Sequence, residues 1–274
     1  MVRLGIVGTG RIAKRFVTDA WQKFDVEIVA VYNPHEDSVR RFYDETNLEG
    51  TYLDWNSFVN QIDAAYVAAP TGTHFGYVDK LLQSGIHVLC EKPMVLSKKQ
   101  AEYLYEMAEK KNCVLMEGIK TAYCPGFIAV LDIINQGKIG QVRDVEACFT
   151  KLVDSDWREW THIEDCGSMT ELGTYGCFGV TKILGCDFSD VRFTSIRNEN
   201  GIDAYTKVFF EFGNDAVGLV KAGIGVKSEG ELLIAGTKGY ILVKAPWWLT
   251  KYVEVHYEDP TKIETYNYEY VGNG

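Results

Sequence analysis

The sequence predicts an α/β chain made of two successive domains. A doubly wound parallel sheet is expected over residues 1–120, followed over residues 121–274 by an α+β domain with a large, mainly antiparallel open sheet. Three observations carry this expectation. Short β-like runs alternate with helical patterns up to Gly118, the rhythm of βαβ units. Beyond it, strands joined by tight turns outnumber helices. A glycine-rich turn links the first strand to the first helix, the position where such sheets bind ligands.

In order along the N-terminal domain, "RLGIVG" reads as a strand, and Ile12, Phe16 and Val17 then recur at helical spacing. "VEIVAVY" is a second strand, followed by a helix through Val39, Phe42 and Tyr43. "AAYVAAP" is a strand of small apolar residues, and the helix around Val78, Leu81 and Leu82 stops at Gly85. "HVLCE" is the next strand. Ser97 with Gln100 forms a capping-box pattern for a helix carrying Ala101, Leu104, Tyr105 and Ala108, and "CVLMEG" closes the series. In the C-terminal domain a helix follows Pro125 with Phe127, Val130, Leu131 and Ile134, ending at Gly137, and another spans Leu172 to Leu184, ending at Gly185. The strands are "VRDVEACFT", "DAYTKVFFEF", "AVGLVKAG", "ELLIAG", "YILVK", "YVEVHYE" and "IETYNYEYV", with "FGND" and "GTKG" as hairpin turns. No Pro- or Ser-rich linker separates the domains, so a packed joint near residue 120 is expected, a place ligands favour.

Composition narrows the function. A net charge of −10 argues against a nucleic-acid partner, which needs a basic face. No apolar run reaches the roughly 18 residues of a membrane span, and glycines interrupt the apolar N-terminus too early for a signal peptide. Seven scattered cysteines without a C-x-x-C pair suit reduced thiols, so a cytoplasmic location is expected. Five dispersed histidines give no ligand-like spacing, and no metal is expected.

"GIVGTGRIA" places Gly8-x-Gly10-x-x-Ala13 between the first strand and helix. Its glycines permit a tight turn and close backbone approach, and the helix start offers N–H groups to a pyrophosphate. Gly8, Thr9, Gly10, Arg11 and Ile12 are therefore cofactor-contact candidates. At the end of the second strand, where an acidic residue would bind the ribose hydroxyls, stands Asn33. Asparagine can bond a ribose without repelling a 2′-phosphate, so NAD and NADP both remain open. Arg40 and Arg41 read more simply as a solvated helix face.

"HVLCEKPM" raises a separate question. The buried strand should end at the sheet's carboxyl edge, and Lys92 follows at once, kept out of helix by Pro93. Alcohol oxidation needs a hydride acceptor and a group that takes the hydroxyl proton; burial and a cationic nicotinamide both lower a lysine's pKa toward that task. Glu91 could orient the ammonium. A lysine after a strand is, taken alone, more often a solvated end.

"GIVGTGRIA", "AAPTGTHF", "GIHVLCEKPM", "AEKKNCVLMEG", "GKIGQV" and "CGSMTELGTYGCFGVTKILG", in that order, resemble the Gfo/Idh/MocA oxidoreductases over nearly the whole chain. The resemblance implies a Rossmann domain followed by a substrate-binding and dimerisation domain. It also implies a catalytic, cofactor-binding Lys92 before a Pro93 whose peptide is often cis, with Pro70, Thr71 and His74 lining the nicotinamide pocket. Lys120 and Tyr123 become substrate-contact candidates. The stretch "DWREWTH" adds Arg158 as another; its Trp157 and Trp160 suit either sugar stacking or a loop packed on the sheet. A homodimer or higher homo-oligomer through the second-domain sheet is expected.

Two departures stand out. Many relatives carry an Asp and, four residues on, a His where this chain has Glu171 and Tyr175; spacing of i and i+4 puts both on one helix face. A tyrosine beside a lysine can exchange a proton, and dihydrodiol dehydrogenases also use Tyr here, so Tyr175 is the expected proton acceptor with Lys92 and Glu171. The other reading of the pair is packing and a favourable first-turn charge. The second departure is the ending at "YVGNG", where relatives continue with further helices, so the chain reads as C-terminally short. The leading function is hydride transfer between NAD or NADP and a hydroxyl or carbonyl carbon of a sugar, sugar derivative or cyclitol. The alternatives are a catalytically silent dinucleotide-binding redox sensor and, third, glycoside cleavage through transient oxidation.

Overall fold

The computed structural model describes residues 1–20, 25–48 and 50–269; the end of "IETYNYEYV" and the final "GNG" lie outside the described residues. The chain divides into two compact units, Met1–Gly118 and Ile119–Gly274.

The first unit contains β1 (Val2–Val7), α1 (Arg11–Arg15), β2 (Val26–Tyr32), α2 (Glu36–Thr46), β3 (Thr51–Tyr52), α3 (Trp55–Val59), β4 (Ala64–Val67), α4 (His74–Gln83), β5 (His87–Cys90), α5 (Lys98–Lys110) and β6 (Leu115–Glu117). Its six strands are ordered β3-β2-β1-β4-β5-β6, all parallel. Successive residues point to opposite faces, and each face has its own core. Leu4, Ile6 and Tyr66 pack with Ala13, Val17 and Phe42 on the α1–α2 side. Val7, Ala65, Val67 and Val88 pack with Phe58, Val78, Leu81, Leu82 and Leu104 on the α3–α4–α5 side.

The register decides where loops emerge. Val7 pairs with both Tyr32 and Val67, Val67 with Cys90, and Cys90 with Glu117. Gly8, Asn33, Ala68, Glu91 and Gly118 therefore leave the sheet along one line. Gly8 N donates to Tyr32 O at 2.9 Å, Ala68 N to Val7 O at 2.8 Å, Glu91 N to Val67 O at 2.9 Å and Gly118 N to Cys90 O at 2.7 Å.

Two local expectations change. Helix α5 starts after Ser97 as read, but the Ser97 side chain makes no capping hydrogen bond, so the capping box is not formed. The edge strand β3 and helix α3 were not read from sequence; Asp54 caps α3 by accepting from Ser57 N at 2.7 Å.

The second unit contains α6 (Pro125–Asn135), β7 (Val142–Thr150), α7 (Arg158–Thr161), α8 (Thr174–Leu184), β8 (Phe188–Arg197), β9 (Asp203–Phe212), β10 (Ala216–Gly223), β11 (Leu232–Gly236), β12 (Gly239–Val243), β13 (Tyr252–Tyr257) and β14 (Ile263–Asn267). Eight strands run in the order β14-β13-β12-β11-β7-β10-β9-β8. Only the β7–β10 pair is parallel. Across six of them one register row, Val208, Val220, Ala147, Leu232, Val243 and Val253, is fully buried. Gly176 of α8 meets Val220, and Gly218 of β10 meets Val180, so helix and sheet approach closely. Trp247 fills the same core, with its indole N–H donating to Cys148 O at 3.0 Å. Strand β8 was not read from sequence, for its apolar Phe193 and Ile196 remain 62% and 58% exposed at the sheet edge.

Among the described residues the seven cysteines form no disulfide, no helix is long and apolar enough to cross a membrane, and no His/Cys/Asp/Glu group is placed to hold a metal ion.

Candidate active site

In the first unit the exit line of the sheet carries most of the residues singled out above. Gly8 adopts φ +106°, and a Cβ there would lie 2.5 Å from the Ala68 carbonyl oxygen, so both conformation and space demand glycine. Gly10 is different. It caps α1 with an ordinary φ of −78°, and a Cβ on it would meet nothing within 4 Å. The chain itself does not require glycine there; the open space suits an approaching phosphate. Arg11 and Ile12 are exposed in the first turn of α1, which contains no acidic residue. These residues fit a dinucleotide pyrophosphate.

Asn33 ties this loop to the next. Its amide donates to Thr9 Oγ1 at 2.8 Å, and its oxygen accepts from His35 N at 2.9 Å. No carboxylate stands at this position to repel a 2′-phosphate. Past β4, Pro70 leads into the turn Thr71–Thr73, where Thr73 Oγ1 donates to Pro70 O at 2.7 Å. His74 is 1% exposed. Its Nδ1 lies 2.9 Å from Pro93 O and its Nε2 2.8 Å from Ala69 O, so the ring is engaged by two backbone carbonyls.

Glu91, Lys92 and Pro93 follow β5 half-buried, and the Lys92–Pro93 peptide is cis. Tyr66 O–H donates to Glu91 Oε1 at 2.6 Å, while Lys92 N donates to Glu91 Oε2 at 3.2 Å. Met94 N donates to Glu117 Oε1 at 2.8 Å. Burial, aided by the Glu91 and Glu117 carboxylates, pushes the neighbouring Cys90 thiol far up and leaves it no nucleophile. Tyr66 and Glu117 were missed by sequence reasoning. The signal available was slight: one phenol in a strand of small residues and one carboxylate at a strand end.

In the second unit Glu171 and Tyr175 sit at the start of the long helix, which is not regular there. Met169–Gly173 forms a π turn before α8 begins, so Glu171 lies in the π turn and Tyr175 in the first turn of α8. Asp203, also missed from sequence, holds this start. Its Oδ2 accepts from Ser168 Oγ at 2.7 Å and Met169 N at 2.9 Å. Gly167, at φ +134°, lets it approach, since a Cβ there would lie 1.9 Å from Asp203 Oδ1. Tyr175 is 8% exposed, its ring 5.3 Å from that of Phe149, which stacks at 3.4 Å on Trp248. Trp248 O accepts from Thr121 Oγ1 at 2.8 Å, joining this stack to the Lys120–Tyr123 turn. Lys120 is half-buried and Tyr123 is 58% exposed.

The "DWREWTH" segment is largely self-engaged. Arg158 donates to both Asp165 oxygens at 2.6 Å and to Cys166 Sγ at 2.8 Å. Burial pushes the Cys166 thiol up to about 12; Arg158 opposes this, while the Glu171 and Asp165 carboxylates add to it. Trp160 packs against the core, and its carbonyl accepts from Asn198 Nδ2 at 3.0 Å, so for this tryptophan the packed-loop reading holds.

A parallel sheet whose first strand turns through glycines into a helix, with a lysine at the same edge, has the architecture of a dinucleotide-binding domain. The chain belongs to the GFO/IDH/MocA family. The model of the oxidoreductase family with NAD-binding Rossmann fold matches residues 2–119, and that of the GFO/IDH/MocA C-terminal domain matches residues 127–242. The trans-1,2-dihydrobenzene-1,2-diol dehydrogenase of Xenopus laevis is 26% identical over 249 residues, 89% of this chain and 76% of that enzyme. The scyllo-inositol 2-dehydrogenase (NADP(+)) of Bacillus subtilis is 26% identical over 269 residues, 94% of this chain and 80% of that enzyme. A 3-ketoreductase from Actinomadura kijaniata, solved with NADP and TDP-benzene, shares the fold with a TM-score of 0.83 at 21% identity, covering 97% of this chain and 84% of that one.

Replacing Asp203 by Ala should lower the unfolding free energy by about 1–2 kcal/mol, as loss of a helix-start acceptor does. Asp203→Asn, which keeps an acceptor oxygen, should lose less; chemical denaturation of the variants reads both.

Proposed function

We propose that this oxidoreductase transfers hydride between NAD or NADP and a hydroxyl or carbonyl carbon of a sugar, sugar derivative or cyclitol. The observation that carries the reading is the placement of Lys92 on the same exit line as the glycine turn at Gly8, one residue beyond Glu91. Bound nicotinamide supplies the hydride acceptor or donor. Lys92 serves the reacting end of the cofactor, and Gly8, Thr9, Gly10, Arg11 and Ile12 serve its pyrophosphate. Asn33 keeps the ribose end free of negative charge, which is compatible with either cofactor, while Pro70 and Thr71 border the nicotinamide.

Tyr175 is the group assigned to the substrate proton, with Glu171 beside the helix start to polarise it; a phenol and a lysine are both suited to general acid–base work when their pKa values are brought toward the operating pH. Lys120, Tyr123 and Arg158 are assigned to substrate hydroxyls, Arg158 through the face left by its pairing with Asp165. Support for a polyhydroxylated substrate comes from the names of the relatives: an inositol dehydrogenase, and a reductase of a dTDP-linked didehydro-dideoxyglucose from Actinomadura kijaniata. Solved variants of the Actinomadura ketoreductase exchange a lysine for alanine and a tyrosine for phenylalanine, the two residue types assigned here to the proton.

The open sheet supports self-association. Its face away from α8 presents Phe209, Leu219, Leu233 and Leu242 in one row, interrupted only by Glu146. Apolar rows on an exposed face mark interaction surfaces. Two or more copies pair through it, in a reducing cytoplasm that suits seven cysteines without a disulfide.

Turnover of a panel of cyclitols and sugars with NAD or NADP tests the function. Lys92→Met should cut the rate by about 10²–10⁴-fold, the contribution typical of a general acid or base, while NADPH still binds. Normal turnover by Lys92→Met contradicts the assignment, and cofactor binding by the wild type without turnover of any compound favours the redox sensor. Sedimentation should give the mass of a dimer or larger assembly; a monomer contradicts pairing through the sheet.

A further inference from the structure

The turn from Glu91 to Met94 is held from three elements outside it. Tyr66 comes from β4, His74 from the start of α4 and Glu117 from the end of β6. Each engages a different atom. The Tyr66 phenol donates to Glu91 Oε1, and the other oxygen of that carboxylate accepts the Lys92 N–H. The Pro93 carbonyl faces the His74 ring, whose other nitrogen faces Ala69 O on the β4 exit. The Met94 N–H donates to Glu117. The peptide groups on either side of Lys92–Pro93 are thus tied to side chains, Glu91–Lys92 at its N–H and Pro93–Met94 at both its carbonyl and its N–H.

We propose that Tyr66, His74 and Glu117 are positioning residues that aim Lys92 through the backbone of its own turn. The proposal rests on the assignment of Lys92 to the nicotinamide. A lysine has a long, flexible stem, so its ammonium is only as well placed as the Cα that carries it. Groups that act on a reacting centre must be held to a fraction of an ångström, and the residues that hold them are commonly one shell removed.

The chemistry of each clamp argues for more than packing. Tyr66 is 4% exposed, and its ring packs on Phe16 with centroids 4.3 Å apart. Phenylalanine would fill that space equally; what the hydroxyl adds is polar, and its proton goes to Glu91. The Glu117 side chain reaches past the neighbouring strand's end to take an N–H that the parallel ladder no longer uses, since β5 ends at Cys90. His74 lies between two loops rather than two strands, one ring nitrogen against the Lys92 turn and the other against the Ala69–Pro70 exit. A neutral imidazole donates from one nitrogen only, and its tautomer chooses which carbonyl is bonded.

The test uses the full chain with Tyr66→Phe, Glu117→Ala and Glu117→Gln, each alone and combined with Lys92→Met. NADPH is titrated while nicotinamide emission is followed, and amide hydrogen exchange is read at Lys92 and Met94. Lys92→Met should alter the emission of bound NADPH. Tyr66→Phe and Glu117→Ala should move the emission toward that of Lys92→Met while weakening NADPH binding by less than about three-fold. Glu117→Ala should speed Met94 exchange by about ten-fold or more. Glu117→Gln, which keeps the acceptor oxygen, should restore both signals. In the Lys92→Met background the other changes should leave the emission as it is. If Lys92→Met alters the emission but Tyr66→Phe and Glu117→Ala do not, or if they still alter it without Lys92, the positioning role is overturned while the Lys92 assignment stands. An emission unchanged by Lys92→Met overturns both.

Discussion

The parallel pairing of β1 with β2 on one side and β4 on the other governs the chemistry of the first unit. Because each crossover returns the chain to the same edge of the sheet, Val7, Tyr32, Val67, Cys90 and Glu117 end in one register line. Five segments distant in sequence then emerge side by side. The glycine turn, the Asn33 bridge, the Pro70–Thr71 turn and the Lys92 turn are consequences of that line. So is the need for glycine at position 8, where the Ala68 carbonyl occupies the place of a side chain. The pairing also separates two cores, one per face, which makes the edge rigid enough to hold small groups at hydrogen-bond distance.

The second unit reaches rigidity by another route. A continuous row of buried aliphatic side chains crosses six strands, and α8 lies close against it because glycines stand where helix and sheet meet. That close approach puts Tyr175 in the core beside Phe149 rather than on an exposed helix face. Asp203, at the first residue of β9, fastens the π turn that carries Glu171. Helix start, sheet and aromatic stack are thus one packed body, with the Lys120–Tyr123 turn joined to it through Thr121.

The elements legible in the sequence were those in which a pattern and its partner are local. Strand β9 begins and ends where the alternation of buried and exposed residues does, because one of its faces is buried in the core. The glycine turn was legible because a strand precedes it and a helix follows. Strand β8 was not, since only Phe188 and Val191 of its apolar residues pack on the core while Phe193 and Ile196 remain exposed. The Ser97–Gln100 pattern was present, yet its hydroxyl makes no cap, for a pattern states an opportunity and not a contact. Tyr66, Glu117 and Asp203 were invisible for a third reason. Their partners lie 25, 23 and 35 residues away, and only the folded register brings them together.

The most direct measurement is the calorimetric affinity of NADH and NADPH for the wild-type chain and for Gly10→Val. Apart from its chain neighbours, no described atom lies within 4 Å of a Cβ at this position, so the variant should fold, losing only about 1 kcal/mol for a valine at a helix N-cap. The account predicts micromolar binding of at least one dinucleotide by the wild type, and a loss of about 100-fold or more when the valine fills the space kept for the phosphates. Equal binding by the two proteins, or none by a folded wild type, would contradict it.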